Sequence, residues 1–351
     1  MHCLISVIMN RWPEYDTATR VLKQKILQHP DPLSFDPPPV FHEASGFLLV
    51  VDWDGDQVLA GKKFPKPFGF ALRDETLYVA TWGGEDILAV RGNTVIGRFQ
   101  HPWFNHLHSL DATPDGLLIT SSGTDLIAEI DYKGRMLWDC FLFEHGYDRD
   151  PYPLAGLFDR TQNYNHRYIP SYLDMHVNSA IHVDDRTVLA TVFRSNELVR
   201  IDRGTKRIES VLNDLHRPHA IRRRPGGYIV SDTEGKAVVL LDSRMRKEHV
   251  IPVPAPWIQD AVLTAERLMV VSNQKMTGSP NDTSKTDPGT VTGIVELTLD
   301  GIPTKRLDLG DQHRIYMVEP ITPTQAQTLA SAWRENPINT AFAQWSRVAA
   351  N

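Results

Sequence analysis

Short apolar stretches recur along the chain, and turn-forming residues separate them. Each stretch holds four or five residues, mostly Leu, Ile and Val, and Gly, Asp or Asn stands in the turns between them. Runs of this length bounded by such residues are typical of β-strands, and no helical spacing is found among them. The clearest stretches are residues 117–120, 127–130, 188–192, 198–201 and 238–241. This pattern predicts an all-β protein.

The strand pattern repeats with a period near 40 residues. The last position of the repeat falls near Arg91, Asp131, Asp202, Asp242 and Asp300. Two of these steps are 40 residues, and the steps of 71 and 58 become similar when insertions at roughly 143–173 and 275–292 are removed. A repeat of this length is typical of a propeller blade. We predict a six-bladed β-propeller, with seven blades as the open alternative, and expect the two termini to share the sixth blade so that the ring closes.

The propeller is expected to occupy residues 41–320. Residues 1–40 and 321–351 then form an N-terminal flank and a C-terminal helical flank. Helices are predicted at 14–28 and 323–349, and Thr322 before Pro323 provides a helix start. These flanks are expected to pack on the surface of the propeller.

Composition and charge narrow the function classes. The net charge is −6 and the isoelectric point is about 6.2, which gives no electrostatic reason to expect nucleic acid as a partner. Cys3 and Cys140 are too few for a disulfide framework, which fits a reducing compartment. The start of the chain lacks a basic segment and a cleavage site, and no apolar run reaches membrane-spanning length. We therefore predict a cytoplasmic protein without a membrane partner.

Histidines recur at equivalent positions of the repeat. The distance from His108 to Asp131 and from His219 to Asp242 is 23 residues in both cases, and Asn178 holds the same position in the copy between them. The first strand of a propeller blade lines the central channel, so His108, Asn178 and His219 are expected at one level of that channel. Since side chains alternate along a strand, His106 and His176 are expected on the same face one step away. Independent structural roles would not share one register, which favours a joint site.

Arg194 lies in a turn of the repeat where the other copies carry Gly83, Gly123 and Glu234. Alone it would be read as a solvent-facing turn residue. Beside His176 and Asn178 it becomes a candidate clamp for an anion, because guanidinium offers a planar fork of donors suited to tetrahedral oxyanions.

These residues resemble a known family. The motif His176-Val177-Asn178-Ser179, with Arg194 sixteen residues after Asn178, is similar to that of the PAPS-independent arylsulfotransferases, which carry such a motif in a six-bladed propeller. His219-Ala220 before a glycine-containing turn resembles the segment that carries the family's sulfated histidine. The resemblance extends over roughly residues 105–245.

The resemblance implies transfer of a sulfuryl group from an aryl sulfate to a phenolic acceptor, with no cofactor. It implies that His219 is the nucleophile and that Arg194, Asn178 and His176 stabilise the sulfuryl oxygens. His108 is implied as the group that moves the proton, although His106 could take that role. The chain lacks the export signal and the N-terminal domain expected of the periplasmic members.

The insertion at 143–173 is rich in aromatic residues and leads directly into His176. We expect it to cover the channel mouth and to stack an aromatic substrate on Tyr164, Tyr168 and Tyr172, with His106 as a further substrate contact. The alternative is a loop that packs its own tyrosines against the propeller.

Two other functions use the same fold. Imidazoles from different blades could bind zinc, copper or iron, as in metal-dependent lyases or oxidoreductases on NHL-type propellers. The candidate ligands are His108, His176, His182 and His219, although His182 is expected beyond the strand end and facing outward. Asn178 is a poor ligand for transition metals and favours the sulfuryl reading. The third reading is a propeller that binds a peptide or protein without catalysis.

Overall fold

The computed structural model describes residues 1–9, 11–26, 38–43, 45–82, 86–148, 156–165, 167, 169, 174–264, 267–274, 292–334, 338 and 340–347. Six antiparallel β-sheets form the blades of a six-bladed β-propeller, so the predicted fold class is confirmed. None of the helices within these residues is long and apolar enough to cross a membrane.

Four blades take their strands in chain order. The first of these comprises β4 (Pro67–Arg73), β5 (Thr76–Thr81), β6 (Ile87–Arg91) and β7 (Thr94–Phe99). The next comprises β8 (Leu107–Ala112), β9 (Gly116–Ser121), β10 (Leu126–Asp131) and β11 (Met136–Phe141). It is followed by β12 (Val177–Asp184), β13 (Thr187–Val192), β14 (Glu197–Asp202) and β15 (Ile208–Leu212). The fourth comprises β16 (Pro218–Arg224), β17 (Gly227–Asp232), β18 (Ala237–Asp242) and β19 (Lys247–Pro252).

The other two blades contain strands from the ends of the chain. One has the order β24, β1, β2, β3, with β1 at His2–Met9, β2 at Gly46–Asp52, β3 at Gln57–Phe64 and β24 at Arg314–Ile321. The other has five strands: β20 (Trp257–Leu263), β21 (Leu268–Asn273), β22 (Thr292–Leu297), β23 (Pro303–Gly310) and β25 (Gln344–Arg347). The blade shared by both termini is therefore present. Residues 1–40, expected only to flank the propeller, contribute β1, whose buried apolar side chains suit a central strand.

The N-terminal helix has the predicted length and begins two residues earlier than predicted, whereas the C-terminal helix is shorter than predicted. The helices are α1 (Trp12–Ile26), α2 (Pro39–Glu43) and α3 (Pro323–Trp333). Thr322 caps α3 as expected: Gln325 N–H donates to its hydroxyl at 3.2 Å, and its own N–H donates to the Gln325 side chain at 2.9 Å. The helix was predicted to reach residue 349, but Pro337 cannot continue a helix, and β25 pairs with β23 instead.

Three of the recurring aspartates, Asp131, Asp202 and Asp242, end the third strand of their blades, whereas Asp300 lies three residues after the end of β22. Asp131 Oδ1 accepts the N–H groups of Lys133 and Arg135, both at 2.9 Å, and Asp242 Oδ1 accepts those of Arg244 and Arg246, both at 2.9 Å. The carboxylate thus holds the turn into the fourth strand. This explains why the repeat is visible at these positions.

The chain forms two compact units. Unit 1 comprises 1–21, 43–67 and 222–351, and unit 2 comprises 22–42 and 68–221. In unit 2, Leu107, Ile119 and Ala128 belong to one buried apolar cluster, and Val177, Ala190 and Val199 belong to another. These clusters support the strands that carry most of the predicted site residues.

Candidate functional site

An unbroken series of aromatic and imidazole rings runs through unit 2. His108 and His176 are in edge contact, with ring centroids 4.9 Å apart, although 68 positions separate them in the sequence. Phe193 contacts His176 at 5.6 Å and His219 at 4.9 Å. On the other side of His108, the ring of Phe68 lies at 5.0 Å. The three histidines therefore belong to one array, and the Phe193 ring stands between His176 and His219.

His106 joins the array through a tryptophan. Its ring lies 4.9 Å from that of Trp82, which in turn lies 5.6 Å from Phe68. His106 is 8% exposed, as is His108, and His219 is 6% exposed, so the three imidazoles are buried to a similar degree.

A left-handed residue precedes the first strand in four consecutive blades. These residues are Lys66 (φ 34°), His106 (φ 50°), His176 (φ 62°) and Arg217 (φ 55°). For a residue other than glycine, this conformation costs about 1–3 kcal/mol and persists only where the surroundings fix it. None of the four is glycine, so this backbone feature could not be recognised from the sequence.

This backbone corrects the expected alternation of side chains. His106 and His176 lie outside β8 and β12, and both strands have an irregular register at their starts, after Leu107 and after Val177. A bulge re-aims side chains, so the period of two does not apply there. The result is that His176 contacts His108 of the preceding blade instead of sharing a face with Asn178.

Equivalent hydrogen bonds hold the main chain at Asn178 and His219. The Thr120 hydroxyl donates to the Asn178 carbonyl at 3.1 Å, and the Thr191 hydroxyl donates to the His219 carbonyl at 2.7 Å. Both threonines are the fifth residue of the second strand in the preceding blade. Asn178 and His219 thus occupy the same position of the repeat, as the alignment of the copies predicted.

The side chain of Asn178 has a different environment from the expected one. It is fully buried, and its amide donates to the Pro218 carbonyl at 3.3 Å. That bond ties Asn178 to the start of β16, the strand that carries His219. The sequence motif identified its position in the repeat but not its direction.

Hydrogen bonds define the protonation of two imidazoles. His108 Nδ1 lies 2.7 Å from the His106 carbonyl oxygen, which can only accept, so Nδ1 carries the hydrogen and Nε2 has the lone pair. Burial, followed by the neighbouring His176, lowers the pKa of His108 to about 3. Burial, followed by the charge of Arg194, lowers the pKa of His176 to about 3. Both rings are therefore neutral at pH 7.

Two buried acids lie behind His176. Asp174 Oδ2 is 3.3 Å from His176 Nδ1, and its Oδ1 is 3.8 Å from Arg194 Nε. Since His176 is neutral, its contact with Asp174 is a hydrogen bond in which Nδ1–H donates. Asp125 accepts the N–H groups of Met175 at 2.7 Å and His176 at 2.9 Å, which fixes the left-handed backbone. Burial first, and then the Asp174 carboxyl, raises the pKa of Asp125 well above its usual value.

Two guanidinium groups flank Phe193. Arg217 lies 5.4 Å and Arg194 lies 6.0 Å from the ring centroid. Arg217 is exposed and Arg194 is partly exposed, at 22% of its side chain. Positive charge therefore lies beside the same ring that His176 and His219 contact. An arrangement of neutral imidazoles and arginines suits a small anion with an aromatic part.

The aromatic insertion packs against itself where the structure describes it. Tyr164 is 2% exposed, stacks on Phe158 with centroids 4.6 Å apart, and accepts the Asp159 N–H at 2.6 Å. The Asn105 amide donates to its carbonyl at 2.8 Å. Tyr164 was predicted to stack a substrate, and this burial makes it part of the loop's own core. Tyr168 and Tyr172 lie outside the described residues.

The arrangement does not provide the three-histidine metal site. Among the described residues, no group of three or more His, Cys, Asp or Glu side chains is placed to hold a metal ion. Phe193 stands between His176 and His219. His182 lies within β12, inside the strand rather than beyond its end, and about 13 Å along it from Asn178 at 3.3 Å per residue.

Several contributors to the site were not singled out in the sequence. They are Phe193, Asp174, Asp125 and Arg217. Phe193 had a detectable signal, because it occupies the slot after the second strand that Trp82 holds two blades earlier. The acids and Arg217 carried no repeat signal.

Comparisons with known proteins support the fold. No protein-family model matches the chain, and no curated protein matches it significantly. A chain of a nidogen/laminin complex aligns with a TM-score of 0.56 and 10% identity, covering 91% of this chain and 97% of that chain. A protein of unknown function from Bacteroides caccae aligns with a TM-score of 0.53 and 10% identity, covering 86% and 91% of the two chains.

Virginiamycin B lyase from Staphylococcus aureus is also similar, with a TM-score of 0.45 and 12% identity over 66% of this chain and 74% of that chain. These neighbours are β-propellers. Similarity at 10% identity supports the propeller fold alone, so the resemblance to arylsulfotransferases stays a prediction.

Proposed function

We propose that this protein transfers a sulfuryl group from an aryl sulfate to a phenolic acceptor through His219. The observation that carries the proposal is the ring array, in which Phe193 contacts His176 and His219 and lies beside Arg194 and Arg217. Phe193 would stack the aryl ring, and the guanidinium groups would attract the sulfate.

The chemistry follows from these residue types. A lone pair on a ring nitrogen of neutral His219 forms the N–S bond, the S–O bond breaks, and the phenolate leaves. The acceptor phenol then attacks sulfur, the N–S bond breaks, and the phenol proton passes to Nε2 of His176 or His108. An anion beside His176 offsets the charge of Arg194, which raises the pKa of His176 toward the working range of a base.

The roles differ from those that the resemblance implied. Arg194 and His176 keep their places beside the sulfuryl group, and exposed Arg217 is added as the first contact of the anion. Asn178 becomes a positioning residue, since its amide holds the carbonyl of Pro218, directly before His219.

The test is turnover of 4-nitrophenyl sulfate with phenol as acceptor. Wild-type protein should release nitrophenolate and form phenyl sulfate, and intact mass spectrometry without acceptor should find one sulfuryl adduct. His219→Ala should lose the adduct and slow release by at least about 100-fold. His249→Ala, a change at an exposed histidine on β19, is the matched control and should leave both unchanged.

Arg217→Met separates anion capture from folding. It should raise KM by about 10-fold or more, because the charge-assisted contact with the anion is lost while every ring of the array is kept. Wild-type protein that neither releases nitrophenolate nor forms an adduct would refute the proposal.

A further inference from the structure

Unit 1 contains a buried arginine with few partners. Arg314, the first residue of β24, is 5% exposed. Within the described part of the chain it makes one hydrogen bond, from Nη1 to the Gln274 carbonyl at 3.2 Å, and no ion pair. A guanidinium has five N–H donors, and arginine is rarely buried unless it is paired. Among the described residues, most of the donors of Arg314 are therefore left without a hydrogen-bond acceptor.

Two indole rings contact this guanidinium through their faces. Its central carbon lies over Trp12 at 4.5 Å from the ring centroid and over Trp257 at 5.6 Å. Both tryptophans are buried, at 7% and 5% exposure. The ring faces stabilise the cation without using its N–H groups, which project from the edge of the guanidinium plane. The donors that remain therefore lie beside buried apolar ring surface.

Arg314 keeps its positive charge although it is buried. Burial lowers the pKa of Arg314 to about 10, with Asp16 acting in the opposite direction, so the group stays protonated at neutral pH. Asp16 is not within ion-pair distance of Arg314 and instead lies 3.4 Å from Arg20. A second buried cation, Lys66, lies 5.9 Å from the ring of Tyr15, which stacks on Trp12 at 5.8 Å. An isolated buried charge is costly, and an anion beside it removes most of that cost.

We infer that Arg314, Trp12 and Trp257 form a binding site for a small planar carboxylate. The fork of N–H donors matches the two oxygens of a carboxylate, and the indole faces accept a flat apolar body attached to it. All the contacting residues belong to unit 1. The inference does not rest on the proposed sulfuryl transfer, because it is measured by binding rather than by turnover.

The test is calorimetric titration of sodium benzoate at constant ionic strength, with benzamide as the neutral isostere. Wild-type protein should bind benzoate and not benzamide. Arg314→Met, which keeps the length of the side chain between the indoles, should weaken benzoate binding by about 10- to 100-fold. Arg246→Met removes one positive charge from an exposed turn of the same unit and should leave binding unchanged.

Thermal unfolding provides the second readout. Without ligand, Arg314→Met should unfold at the same temperature as wild type or higher, because it removes a buried charge. Benzoate should raise the unfolding temperature of wild type only. Loss of thermal stability in Arg314→Met together with equal benzoate response in both proteins would overturn the inference and make the stacked guanidinium purely structural. Binding of benzamide as tightly as benzoate would equally overturn it.

Discussion

Replacing Asp125 with alanine should destabilise the backbone beside His176 severely. Asp125 is 1% exposed, and its two oxygens accept the N–H groups of Met175 at 2.7 Å and His176 at 2.9 Å. Alanine leaves both buried donors without this acceptor, at a cost of about 1–3 kcal/mol each. The left-handed conformation of His176 also loses the contact that fixes it. We therefore expect the free energy of unfolding to fall by about 2–6 kcal/mol, a large share of a typical total of about 5–15 kcal/mol.

The assay is urea denaturation followed by circular dichroism, with Asp185→Ala as the matched control. Asp185 is exposed in the turn after β12, and its replacement should change the free energy of unfolding by less than about 0.5 kcal/mol. The transition midpoint should drop for Asp125→Ala at an unchanged slope. An Asp125→Ala protein as stable as the control would refute the view that this carboxyl organises the site.

Three further outcomes are expected. Burial and then Asp174 raise the pKa of Asp125 in the folded protein. The stabilising contribution of Asp125 is therefore complete below about pH 4 and is lost as pH rises through the raised pKa. In urea titrations, the stability of wild type relative to Asp125→Asn should fall from pH 4 to pH 8. Arg222→Met should cost about 3–5 kcal/mol by calorimetry, because it leaves buried Asp260 without its bidentate partner. Thr322→Ala should cost about 1 kcal/mol in urea denaturation, because α3 loses its capping box.

The blade structure could be predicted because short segments of the sequence determine each strand and turn. Alternating apolar runs and turn aspartates mark each hairpin, and Asp131, Asp202 and Asp242 end third strands as the 40-residue period requires. The register of the repeat also places Asn178 and His219 at equivalent positions. A repeat makes equivalent positions recognisable because each blade buries its apolar strands against its neighbours in the same way.

The directions of the site side chains could not be predicted in the same way. They depend on left-handed residues and irregular strand starts. His106 and His176 adopt the left-handed conformation without being glycine, the residue type that would have indicated it. Asn178 turns to the Pro218 carbonyl, and Tyr164 turns into its own loop, for reasons of local packing. Asp125 and Asp174 interact in the folded protein although 49 positions separate them in the sequence, so their interaction could not be predicted from the repeat.

The placement of β1 has a consequence for the order of folding. Its neighbour β24 begins about 300 residues after it in the sequence. Pairing of segments so far apart requires closure of a long loop, which is slow. Until β24 pairs with it, one edge of β1 leaves its main-chain N–H and C=O groups open to other strands, so we expect this blade to be completed late in folding.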